Sequence, residues 1–195
     1  MAVALATIIA VMAVAGASLA WLKDTTDPVI NTFTEGKVDI TLVETPVGEN
    51  GSATGNTYKM VPGDVLPKDP KVTVLAVSEA CWVFVKVEEI NDVETFLDYE
   101  IADGWTQLKD ASNNDIPGVY YRTVDDTDKD QEFYVLKADK GNKFPNGAVT
   151  VNTSVEMKDM NKLNADTYPK LKFTAYAIQA AHFDTPAAAW EEASK

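Results

Sequence analysis

The sequence of 195 residues holds one cysteine and one histidine, and it is poor in positive charge. Cys81 has no partner for an intrachain disulfide, whereas secreted proteins of disulfide-using compartments ordinarily carry pairs. Such a chain belongs either to a reducing cytosol or to an exporter that does not staple its exported proteins. Cys81 opens the apolar run Cys81-Trp82-Val83-Phe84-Val85, which predicts a buried, inert thiol. His182 alone cannot build a His-Glu-x-x-His helix or the set of N and S donors that zinc takes. It stands between an Ala-rich strand end and the C-terminal segment, where packing or capping is the expected role. A Ser-His-Asp triad would have to use the same histidine, and Gly-x-Ser-x-Gly, Gly-x-Gly-x-x-Gly and the P-loop are all absent. Against 30 Asp and Glu stand only 17 Lys and Arg, a net charge of −13. That balance argues against nucleic-acid binding, which needs cations against phosphate, and against docking on anionic lipid. It predicts a soluble surface that repels its neighbours and attracts cations.

All of that charge lies beyond residue 20. The opening stretch MAVALATIIAVMAVAGASLA is uncharged and about long enough to span a bilayer as a helix. A signal peptide, a retained membrane or filament helix and a buried core helix compete for it. The signal-peptide reading has the better exit, because Ser18 and Ala20 fall at −3 and −1 of a cut before Trp21. No Lys or Arg precedes the run, so the stated start lies inside a longer precursor or the signal is atypical. A retained anchor would use bulkier residues, and a core helix would show a polar face. Residues 1–20 are therefore expected to be a cleaved leader, with membrane contact only before cleavage. Residues 21–195 are expected to form one domain.

From Val29 onward apolar residues recur at every second position. Val38, Ile40 and Leu42 share one face of their segment, as do Val72 and Val74, and then Cys81, Val83, Val85 and Val87. GVYYRTV, EFYVLKA, AVTVNTSVEM and KLKFTAYAIQAA continue the pattern between Gly, Pro, Asn and Asp breaks. About seven or eight such strands point to an all-β antiparallel sandwich or barrel. Val61-Pro62-Gly63-Asp64 has the Pro-Gly order of a type II turn. Val47–Thr57 reads as a structureless exposed loop open to proteolysis. Two short helices are expected. One lies over Asn91–Ile101, with Asn91 or Asp92 as its cap. The other is C-terminal, with Thr185 as cap, Pro186 in the first turn and Trp190 as anchor. Trp82 and Phe84 make the second face of the Cys81 strand apolar as well, so that strand is covered on both sides. Cover from the same chain is the commoner arrangement, and a neighbouring subunit is the alternative.

Asp126, Asp128 and Asp130 repeat the spacing at the start of a calcium loop. Gln131 then stands at the sixth position, where the loop needs Gly, and Lys137 at the twelfth, where it needs Glu. A solvated loop is expected there, with calcium the only cofactor for which the residues offer any ligands.

The junction GASLAWLKDTTDPVINTFTEGKVDITLVE resembles the leader exit and first strand of the TasA/camelysin family, SipW-dependent secreted proteins of Gram-positive bacteria. The resemblance rests on Ala20, Trp21, Asp24, Thr25, Thr26, Asp27, Asn31, Phe33, Gly36, Val38, Asp39 and Ile40. YKMVPGD, KDPKVTV, CWVFVKVEE and the terminal AYAIQAAHFDTPAAAWEEA extend it over nearly the whole chain. It implies a jelly-roll-like β-sandwich, and removal of the leader between Ala20 and Trp21 by a signal peptidase of the SipW type. It also implies assembly with copies of itself into extracellular fibres of the cell surface or biofilm matrix. In that scheme the N-terminal arm, residues 21–35, inserts as a strand into the next subunit, and Val29, Ile30, Asn31, Thr32, Phe33 and Thr34 form the donor strand. The alternation of PVINTFTEG permits it: Val29, Asn31 and Phe33 face one way, and Ile30, Thr32 and Thr34 the other. An extension of the subunit's own first strand is the simpler use of the same residues. The camelysin name also implies a metal-dependent peptidase, for which a single histidine gives no support. A monomeric cell-surface binding module, using the Val47–Thr57 and Asp125–Asp130 loops, is the third alternative. The sequence favours a non-enzymatic structural protein.

Overall fold

The computed structural model describes residues 36–49 and 51–195. The leader, the Ala20–Trp21 bond and the arm residues Val29 to Thr34 lie outside the described residues. Within them the protein is an antiparallel all-β sandwich of ten strands with three short helices. Of three ten-residue strands, β4 (Cys81–Ile90) and β10 (Lys170–Gln179) are paired along their whole length, from Cys81 opposite Gln179 to Ile90 opposite Lys170. They form one layer with β7 (Asp115–Val124) and β6 (Thr106–Lys109), in the order β10-β4-β7-β6. Opposite lie two three-stranded sheets. One is β1 (Ile40–Val43), β3 (Lys71–Val74) and β8 (Gln131–Tyr134); the other is β2 (Val65–Pro67), β9 (Ala148–Val151) and β5 (Leu97–Asp98). Backbone bonds from Ala148 to Lys137, Lys137 to Glu100 and Ala102 to Val135 tie the two together.

The period of two in the sequence becomes two apolar clusters. Val72, Val74, Cys81, Val83, Val85, Val87 and Val135 fill the space between the layers, joined by Ile40 and Leu42 from β1 and Phe173 from β10. Phe84 points the other way, into a second cluster with Leu108, Val119 and Ala189. The cover over this outer face comes from the same chain: it is the C-terminal helix α3 (Pro186–Ala193). Trp190 lies with its ring 5.3 Å from that of Phe84 and edge-on to Tyr176 at 5.1 Å. The helix starts as its sequence dictates, with the Thr185 hydroxyl accepting from Ala188 N–H and Pro186 in the first turn. No helix among the described residues is long and apolar enough to cross a membrane.

Other local expectations are revised. The helix expected over Asn91–Ile101 is one turn, α1 (Val93–Phe96), because Leu97 and Asp98 are taken as β5 against β9 and Ile101 bridges to Leu136. Neither Asn91 nor Asp92 caps it. Asp92 adopts left-handed backbone with no side-chain cap bond, and the Asn91 amide donates instead to the carbonyls of Asp166 and Tyr168. A further single turn, α2 (Met157–Met160), was not apparent from the pattern. The Val47–Thr57 loop is not structureless: Ser52 bridges Gly55, and the Asn56 side chain accepts from Val47 N–H and donates to Glu44 and Thr45. The Pro62-Gly63 turn forms as read, with Gly63 at φ +87° and Asp64 N–H donating to Val61.

Candidate functional site

Ile90 and Lys170 close one end of the long strand pair, and there the two layers part over an apolar groove of about 740 Å³. Its floor and walls are Met60, Leu66, Val149, Met160, Leu163 and Leu171, with Met157 and Tyr168 at its margin. Three lysines, Lys59, Lys68 and Lys170, line it, and no carboxylate does. Lys68 is fixed from below by a 2.5 Å ion pair with Glu44, both side chains largely buried, and its ammonium lies over the rings of Phe173 and Tyr58. Burial first, and then the charges of Glu44 and Asp69, push the Tyr58 hydroxyl far above the usual phenol range, so it stays protonated. One border of the groove is the start of β10. That strand is the edge of its layer, paired with β4 on one side and with no ladder partner on the other among the described residues. The methionines give this surface unbranched, polarizable side chains that can repack against different shapes.

A smaller cavity of about 430 Å³ is lined by Glu89, Glu94, Asp98, Tyr99, Tyr120 and Asn152. The Tyr99 hydroxyl donates to Glu89 at 2.6 Å, and burial together with that carboxylate raises its pKa. Among the described residues no group of three or more His, Cys, Asp and Glu is placed to hold a metal ion. Asp126, Asp128 and Asp130 are exposed on the loop between β7 and β8, and Asp130 accepts the N–H of Ala76. His182 lies exposed in a single 3-10 turn, Ala180–His182, leading to α3.

Cys81 is fully buried in the inner cluster, and desolvation pushes its thiol up to about 11. Native protein at pH 8 is expected to leave a thiol reagent such as DTNB unreacted, and protein in concentrated urea to react with one equivalent. Rapid reaction of the native protein would contradict this placement.

Two features escaped the sequence reading. Arg122, the chain's one arginine, faces inward between the layers. Its guanidinium stacks 3.6 Å from the Phe133 ring centroid and 5.4 Å from that of Trp105, and burial lowers its pKa. The parity Tyr120-Arg122-Val124 in GVYYRTV was the available signal. The other is the groove, whose lining comes from segments as distant as Asn56 and Leu171 and has no local signature. The chain matches no protein-family model, no curated protein and no solved structure.

Proposed function

We propose that this chain is a secreted structural subunit, without enzymatic activity or cofactor, that assembles head to tail into extracellular fibres. A signal peptidase of the SipW type frees the arm by cutting between Ala20 and Trp21. The arm of one copy, Val29 to Thr34, then adds as a strand along the edge of β10 in the next, which has no ladder partner among the described residues, with Val29 and Phe33 towards the groove. Main-chain hydrogen bonds would supply affinity, and the alternating side chains register. The resemblance at the Gly16–Glu44 junction motivates this reading.

One observation carries it further: Gly36, from which the arm extends, and the groove lie at opposite ends of the sandwich. Gly36 packs against Glu79 and Gln179, beside the C-terminal end of β10. The groove lies at the Lys170 end, ten residues and roughly 30 Å away. A contact between two different patches does not close on itself and propagates as a filament.

Electron microscopy of protein beginning at Trp21 tests the proposal. Fibres are expected at high concentration, whereas the chain carrying residues 1–20 should give none. Trp21-initiated protein that remains monomeric in sedimentation would refute it.

A further inference from the structure

Val77 combines two costs. Its backbone is left-handed, φ +65°, a conformation that β-branched residues avoid, and its side chain is 77% exposed. Asn or Gly would hold the same turn with less strain, and the valine side chain gains little burial among the described residues. The turn itself is firmly made: Val77 N–H donates to Thr127, Thr127 N–H donates to Ser78, and the buried Ser78 hydroxyl donates to Leu75. The apolar tip is therefore held outward on a rigid base.

The exposed large apolar side chains among the described residues are Val61, Val77, Ile90, Met157 and Tyr168. Their distribution is bipolar. Val77 precedes Cys81 at one end of β4, and Ile90 closes the other. Met157 and Tyr168 line the groove at that second end, and Val61 follows its wall residues Lys59 and Met60. The charges are complementary. Beside Val77 the bridged loop presents Asp125, Asp126 and Asp128, while Lys59 and Lys170 line the groove and Lys68 is already paired with Glu44. Gly36 packs on Glu79, two residues beyond Val77, so an arm seated in a neighbour's groove carries the Val77 tip to the same end of that neighbour.

We propose that the Val77 tip is a second contact of the head-to-tail joint: Val77 of one copy seats on the apolar margin of the next copy's groove, formed by Val61, Met157 and Tyr168, with Asp126 and Asp128 facing Lys59 and Lys170. This rests on the reading that copies join head to tail. It adds a rigid shoulder to a flexible arm, which would fix the angle between successive subunits.

The test compares Trp21-initiated parent protein with Val77→Asn. Asparagine tolerates left-handed backbone, so the variant should melt at least as high as the parent while its critical concentration for fibre formation rises about tenfold. A separate charge reversal, Asp126→Lys with Asp128→Lys, should weaken assembly, and adding Lys59→Asp with Lys170→Asp to the same chain should restore it. An unchanged critical concentration for Val77→Asn, in a parent that forms fibres, overturns the shoulder and leaves the arm intact. Failure of the double reversal to recover overturns the charge pairing. A parent that forms no fibres overturns both the shoulder and the proposed function.

Discussion

Deleting Trp21 to Thr34 should leave the sandwich folded and abolish fibre formation. Among the described residues, Val38 is the first that either apolar cluster uses, and the first ladder pair is Ile40 with Val74. Loss of the arm therefore removes nothing that the described core contains. The circular dichroism spectrum should be unchanged and the melting temperature should stay within a few degrees, as for changes away from packed sites. Assembly should fail altogether, because Val29 and Phe33 would each contribute about 1.5–3 kcal/mol on burial in the neighbour. Each ladder hydrogen bond would add about 0.5–1.5 kcal/mol. The opposing cost of association is of the same order as this sum, so removing the arm leaves no surplus. Fibres that survive the deletion would show that the arm is not the connector.

Phe84→Ala should destabilise the monomer by about 4 kcal/mol, the range for emptying a fully buried aromatic site. Phe84 is the largest fully buried side chain among the described residues and lies against the rings of Tyr121 and Trp190. Its removal takes away the surface on which α3 rests, and the short helix offers little compensation, since Ala189 is its one buried residue. Domains of this size hold about 5–15 kcal/mol, so the loss takes from about a quarter to about four fifths of the total. Urea titration with a common slope reads the loss directly as a shift in midpoint. A change below about 1 kcal/mol would mean that α3 is a loose flap and the outer face an open surface.

The strands were legible because alternation and β-branching report a half-buried pleated surface. The Cys81 strand even declared that both its faces are covered, and α3 with its Thr185 cap supplies the cover. The short pieces were not legible. Leu97 and Asp98 continue a helical spacing that tertiary pairing overrides, since Leu97 opposite Val151 completes a sheet that no local propensity specifies. Arg122 was not singled out in GVYYRTV, and its role emerges only where Phe133 and Trp105 flank it. Val77 shows nothing in sequence, because its strain is a dihedral angle. The groove and the opposed ends of the sandwich follow from the register of β4 on β10, which only the folded chain reveals.

Mixing two assembly-dead variants tests the central claim most directly. The first lacks Trp21 to Thr34 and keeps its groove. The second keeps its arm but carries Met160→Arg and Leu163→Arg in the half-buried groove wall, with folding checked by its melting curve. Each should sediment alone as a monomer, and the equimolar mixture should give a one-to-one dimer and nothing longer. An absence of dimer in the mixture, or polymers from either variant alone, would contradict assembly by an arm at one end and a groove at the other.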